Sequence, residues 1–330
     1  MPAKTAEVYT YPPDAKTPGA ETARRSCLCR FRGPELACEQ RNNRGQVAVL
    51  KLDRYPDLQK RYQRDSIPLG VCSVMAGEKP WIVCPNRLFY TGQAAPKLEH
   101  SIYHSWGFRP GDKVALWREV RIQSKKRSKK FNYNFDYVFR RVVNAADQKY
   151  EDTPYVVEVM SCSTSGGGVS DDFASALGSV HVNADSRGPS LNKRQVLGRM
   201  MSQMIAKAEV VHEWGGRTVW IVQDVFWDYV NETTGFNMDE FRTDAKGNML
   251  LVVRQLVTAG YNPNDAKADS YDLKLSRILQ GWDRSERSEG KNTVGRDFVS
   301  LLNAPFTPDR ELILDKTNKR PPTAIVVCAV

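Results

Sequence analysis

The 330-residue sequence predicts an α/β (mixed α+β) fold, a mixed sheet flanked by helices. Three patterns carry that reading. Phe131, Tyr133, Phe135, Tyr137 and Phe139 alternate with Asn132, Asn134, Asp136 and Arg140, the period of a strand with two different faces. Residues 154–162 (PYVVEVMSC) are nearly all apolar, as a central strand covered on both sides should be. Within residues 192–214, Val196, Met200, Met201, Met204, Ile205, Ala208 and Val211 recur at spacings of three and four, which is a helical stripe.

The other segments follow in chain order. Residues 1–24 hold Tyr11-Pro12-Pro13 and Thr17-Pro18-Gly19 and show no apolar period, so a mobile arm is expected. Residues 25–95 form the cysteine-rich region. Within it, the charged stretch 53–64 reads as a short solvated helix, and 80–89 as a buried strand ending at Cys84-Pro85. Residues 96–330 are read as the main core with a C-terminal extension. There 113–123 is a strand, 125–130 a basic loop, and 161–168 a Ser/Thr/Gly loop. Gly215-Gly216 should stop the long helix. Residues 218–225 return as a strand, 226–230 open a helix, 262–297 read as loops and surface helices, and 324–330 as a last strand.

Composition narrows the function class. A formal net charge of +10 favours a polyanionic partner, and nucleic acid above all, through counterion release. The first 20 residues lack an apolar signal region, and no run of about 18 apolar residues exists, so no membrane partner and a cytoplasmic location are expected. Seven cysteines, spread unevenly, argue against a secreted disulfide framework. Their spacing (Cys29-x8-Cys38, Gly70-Val71-Cys72, Ile82-Val83-Cys84-Pro85-Asn86-Arg87) suggests instead a tetrahedral thiolate metal site.

The candidate chemistry rests on carboxylates. Asp136 lies in one expected strand and Glu158 in the next. If those strands pair, the two side chains meet, and with the Val159 carbonyl they make a hard oxygen site suited to Mg2+. There the cation can activate water and neutralise charge building on a phosphate. Glu158 is the sole charge between residues 154 and 170, where an unpaired carboxylate is costly. Residue 160 shares its face. A Lys, Gln or Glu there completes a familiar nuclease pattern, but this chain has Met160, which neither polarises water nor ligates Mg2+ well. Glu119, on the preceding strand, is a further candidate. Ser163, Thr164 and Ser165, followed by glycines, could bring backbone N–H groups to a phosphate or serve as a plain connector. Lys125, Lys126, Arg127, Lys129, Lys130, Arg187, Lys193 and Arg194 are candidate DNA contacts or simply solubilising charges.

With Cys72, Cys84-Pro85-Asn86-Arg87, Asp136 and Glu158 in this order, much of residues 29–230 resembles the NotI-type restriction endonucleases. Leu116-Trp117-Arg118-Glu119-Val120 is similar to that family's first core strand. Phe135-Asp136-Tyr137 and Val157-Glu158-Val159 are similar to its two catalytic strands. The resemblance implies a PD-(D/E)xK nuclease core with an N-terminal four-cysteine subdomain. It also implies a bacterial homodimer that cuts a palindromic, GC-rich duplex site with Mg2+. A cognate DNA methyltransferase would then protect the host. By position, Cys29, Cys38, Cys72 and Cys84 would hold iron; Cys27 rivals Cys29, and thiolate sites of this kind accept iron or zinc. Met160 stands where NotI carries a Gln. Two alternatives stay open: a DNA-binding protein whose nuclease site has decayed, and a nuclease specific for modified DNA.

Overall fold

The computed structural model describes residues 3–33, 35–40, 46–89, 97–98, 103, 106–124, 132–144, 149–151, 153–165, 168–183, 188–213, 215–234, 241–242, 249–281, 312–314 and 324–328. The N-terminal part contains β1 (Lys4–Val8), α1 (Pro18–Ser26), β2 (Val49–Lys51), α2 (Pro56–Tyr62), β3 (Ser66–Pro68), β4 (Val71–Ala76), β5 (Lys79–Ile82) and α3 (Pro85–Leu88). Next come β6 (Lys97–Leu98), β7 (Lys113–Ser124), β8 (Asn132–Asn144), β9 (Lys149–Tyr150) and β10 (Tyr155–Met160). A small hairpin of β11 (Thr164–Ser165) and β12 (Ser190–Leu191) flanks α4 (Val169–Ala176). The long helix α5 (Lys193–Glu213) leads to β13 (Arg217–Gln223) and α6 (Asp224–Thr234). The chain continues through β14 (Phe241–Arg242), β15 (Met249–Val257), β16 (Asp272–Gly281), β17 (Leu312–Leu314) and β18 (Ala324–Cys328).

A mixed sheet runs β14-β16-β15-β13-β10-β8-β7-β18-β6, with β17 on β7 and β9 on β8. Its centre is β10, paired parallel to β13 and antiparallel to β8. All six residues of β10 are buried, as its apolar sequence requires. Alternate residues divide between two clusters. Val157 and Val159 join Leu116, Tyr137, Phe139 and Ile221 on one face. Met160 joins Trp220, Val196, Met200 and Met204 on the face covered by α5. That helix ends as its sequence directs: Gly215 has φ 71°, and a Cβ on Gly216 would lie 2.6 Å from the Pro154 carbonyl oxygen.

Several expectations need correction. Residues 3–24 are not a loose arm. β1 pairs with β4, Thr17 caps α1 by accepting from the Ala20 N–H at 3.3 Å, and Val8, Tyr9, Thr10 and Ala20 are buried. Local punctuation by Pro and Gly hid a segment whose order comes from distant partners: Thr17 donates to Asp269 (2.8 Å), and the Thr5 N–H to Asp172 (2.6 Å). The helix within 53–64 is half-buried rather than solvated, with Leu58 and Tyr62 turned inward. The 262–297 stretch, read as loops and helices, contains β16 along the edge of β15; residues 282–297 lie outside the described residues. The N-terminal region is also not separated from the sheet by a gap in the core. Cys29, Cys72, Tyr55 and Trp81 share one apolar cluster with Met160 and Trp220. The Gln223 amide bridges the two parts, accepting from the Ile82 N–H and donating to the Pro80 carbonyl, both at 2.7 Å. Among the described residues, no helix is long and apolar enough to cross a membrane.

Candidate functional site

The register of the sheet brings the acidic candidates into one row. β8 and β10 pair through Val157↔Tyr137, where the ladder stops. One step further, Glu158 faces Asp136 across the point where the strands part. On the other side, β7 pairs with β8 at Arg118↔Tyr137 and Val120↔Phe135, so Glu119 falls opposite Asp136 between them. Glu119 carries φ 52°, a left-handed conformation that a residue with a side chain rarely adopts. Its effect shows in the packing. Ala115 and Trp117 lie in the same cluster as Val120, so the in-out alternation slips by one residue at Glu119.

The carboxylates differ in surroundings. Glu119 is exposed and Glu158 is buried. Asp136 accepts the Val159 N–H at 2.8 Å, filling the gap left where β8 and β10 separate. Burial raises the Asp136 carboxyl above its ordinary value, opposed by the Val159 N–H and by Lys207 and Arg199. Glu158 is pushed up to about 8 by burial first and by the neighbouring Asp136 second, while Lys207 pulls it the other way. Glu158 Oε2 is held by Lys207 Nζ at 2.6 Å, but its Oε1 is buried without a hydrogen-bond partner. An orphaned carboxylate oxygen beside a second carboxylate fits a divalent cation in its oxygen chemistry and in its charge.

Lys207 is the site residue that sequence reasoning missed. Its signal was present. Lys207 lies three residues after Met204 and four before Val211, on the same stripe of α5 as Val196 and Met200, all buried. A lysine on the apolar stripe of a helix needs a buried partner, and Glu158 is that partner. Met160 packs in the apolar cluster on the same face as Glu158 and reaches no polar group that the structure shows.

The four candidate thiols converge as well. Cys29 and Cys38 share a thiol–thiol hydrogen bond, and Cys38 and Cys72 both feel Cys84 and Cys29. All four are buried. Two of them sit in matching turns. The Arg32 N–H donates to the Cys29 carbonyl and the Arg87 N–H to the Cys84 carbonyl, both at 3.0 Å, and the N–H groups of Phe31 and Arg32 lie near the Cys29 thiol as those of Asn86 and Arg87 lie near the Cys84 thiol. Those donors favour a thiolate; Cys29 is lowered to about 7, led by its bond with Cys38, whereas burial pushes Cys84 up to about 12. Burial likewise raises Cys72, and the bond with Cys29 raises Cys38. Cys27 points elsewhere: its thiol donates to the Arg24 carbonyl at 3.9 Å and lies near Tyr9. Among the described residues, no group of three or more His, Cys, Asp or Glu side chains is drawn to metal-holding geometry. The fit therefore rests on the donor set, four buried soft ligands that share one cluster.

The DNA-contact candidates divide. Lys125, Lys126, Arg127, Lys129, Lys130 and Arg187 lie outside the described residues. Ser163, Thr164 and Ser165 are not a free loop. Thr164 and Ser165 pair with β12, Ser165 Oγ and Asn192 Oδ1 are hydrogen-bonded at 2.8 Å, and the Asn192 N–H donates to the Ser163 carbonyl. Lys193 stands over the Trp81 ring at 4.2 Å and near Tyr229 at 5.5 Å, so its charge is engaged by aromatics. Arg194 is exposed on the first turn of α5. Arg199, which was not singled out from the sequence, is exposed and within electrostatic reach of Asp136.

No protein-family model matches the chain, and no curated protein matches it significantly.

Proposed function

We propose that this protein is a Mg2+-dependent endonuclease hydrolysing phosphodiester bonds of duplex DNA at a specific site, in the manner of a type II restriction enzyme. The observation that carries the reading is the meeting of Asp136 and Glu158 where β8 and β10 part, with Glu158 Oε1 left unpartnered. Asp136, Glu158 and the Val159 carbonyl would hold the cation, with Glu119 at the end of the same row. Bound there, Mg2+ supplies charge to the phosphate and lowers the pKa of water. The chain's own residues do the rest. The Val159 N–H fixes the Asp136 carboxylate. The apolar cluster beneath Met160 keeps bulk water away from the buried side of Glu158. The net charge of +10 supports a polyanionic substrate.

The resemblance extends the proposal to a homodimer, a palindromic GC-rich site and a protecting methyltransferase. It also extends it to a structural iron or zinc held by Cys29, Cys38, Cys72 and Cys84, which are buried in one cluster.

The test is incubation of the purified protein with unmethylated phage DNA, with Mg2+ or with EDTA. Discrete bands only with Mg2+ are expected, and sequencing of the ends gives the site. Absence of cutting on diverse plain and methylated DNA would sink the nuclease reading and leave a decayed, DNA-binding chain.

A further inference from the structure

We propose that Lys207, reaching in from helix α5, is the cationic catalytic residue of this site and takes the place that Met160 leaves empty on the strand. This inference rests on the nuclease reading above and names a group that reading does not require.

The geometry supports it from three sides. Lys207 Nζ lies 2.6 Å from Glu158 Oε2 and 5.6 Å from the centre of the Phe135 ring, the residue next to Asp136. Its charge acts on Asp136 as well as on Glu158. One side chain thus serves two of the three carboxylates of the row. Next, Lys207 is placed with little freedom: it is buried between Met204 and Val211 on a helix packed on β10 and β13. A cation fixed in this way is pre-organised and needs no rearrangement when charge develops beside it. Last, Met160 shares the face of Glu158 but is committed to the apolar cluster. The cation next to Glu158 therefore comes from the facing helix and not from the strand.

The role is that of a fixed donor. During hydrolysis the water oxygen forms a new bond to phosphorus as the bond to the leaving ester oxygen breaks. One water proton passes to solvent, and the leaving oxygen gains one from solvent. Lys207 donates a hydrogen bond from Nζ to a phosphate oxygen or to the attacking water and takes no part in the proton transfers. Arg199, two turns earlier on α5, is exposed, and its charge acts on Asp136.

The test compares wild type, Lys207→Met, Lys207→Arg and Lys207→Met/Met160→Lys on a duplex carrying the site mapped from phage DNA. Single-turnover cleavage is measured in Mg2+, affinity for the duplex in Ca2+, and folding by thermal melting. Lys207→Met is expected to lower the single-turnover rate by about 100-fold or more, the range for loss of one pre-organised donor, with affinity within about three-fold. Lys207→Arg keeps the charge and part of the rate. Recovery of cleavage in the double variant, with the lysine moved to the strand, supports a catalytic rather than a structural role. Lys207→Met cleaving within three-fold of wild type, or losing affinity in step with rate, overturns the assignment. Those outcomes touch the lysine alone, whereas a wild type that cuts no DNA removes the nuclease reading itself.

Discussion

The carboxylate row and the thiol cluster are both collections of like groups with buried members, yet they are finished differently. Around the thiols, the backbone closes in: the Arg32 N–H donates to the Cys29 carbonyl, the Arg87 N–H to the Cys84 carbonyl, and all four cysteines are buried. Around the carboxylates, the sheet opens. Its ladder stops at Val157↔Tyr137, Glu119 reaches solvent, and one oxygen of Glu158 has no partner. A closed ligand set suits a metal that holds structure together; an open one suits a cation that must also meet substrate.

The contrast can be broken by experiment, beginning with the largest effect. Asp136→Ala is expected to lower cleavage by at least about 1,000-fold while leaving the melting temperature close to that of wild type, because Asp136 sits at the open edge where the ladder has already ended. Measuring both on one preparation decides it. A large melting shift would mean that the row holds structure, and the contrast would fail.

Cys72→Ser or Cys84→Ser is expected to do the reverse, yielding protein that is largely unfolded. Loss of a structural metal forfeits on the order of 10 kcal/mol of binding energy coupled to folding. Metal analysis of wild type should find one iron or zinc per chain. A metal-free chain that melts as high as the metallated one would place the thiols among ordinary core residues.

The pH dependence is smaller but has a definite sign. Glu158 has its carboxyl raised in the fold from 4.5 to about 8, so the folded state binds more protons than the unfolded one between those values. Stability of the metal-free protein therefore falls as pH rises across that window, by up to a few kcal/mol. Glu158→Gln should flatten the decline, and Mg2+ should oppose it in wild type. Denaturant melts at pH 5 and pH 8 read the difference; equal stability at both would exclude a buried, proton-hungry Glu158.

The smallest effect belongs to Cys27. Its thiol donates to the Arg24 carbonyl rather than to the other four thiols, so Cys27→Ser should keep the metal and change stability by about 1 kcal/mol. Loss of the metal in that variant would return Cys27 to the ligand set in place of Cys29.

Local pattern made much of this protein legible. The aromatic alternation of β8, the apolar run of β10, the helical stripe of α5 and its Gly215-Gly216 stop all appear where periodicity and punctuation put them. These depend on neighbours three or four residues away, or on which face is wet, and a sequence records both. The pairing of Asp136 with Glu158 was conditional on two strands meeting, and the register supplied it. Three features required the fold itself. The order of residues 3–24 comes from partners as distant as Asp269. The backbone conformation of Glu119 has no Gly or Asn to announce it. Lys207 counts as one more polar residue on a helix until β10 is laid beside it with Glu158 on the facing side. Sequence fixes periodicity because it is a local property, whereas the identity of a buried charge's partner is a long-range fact that only packing decides.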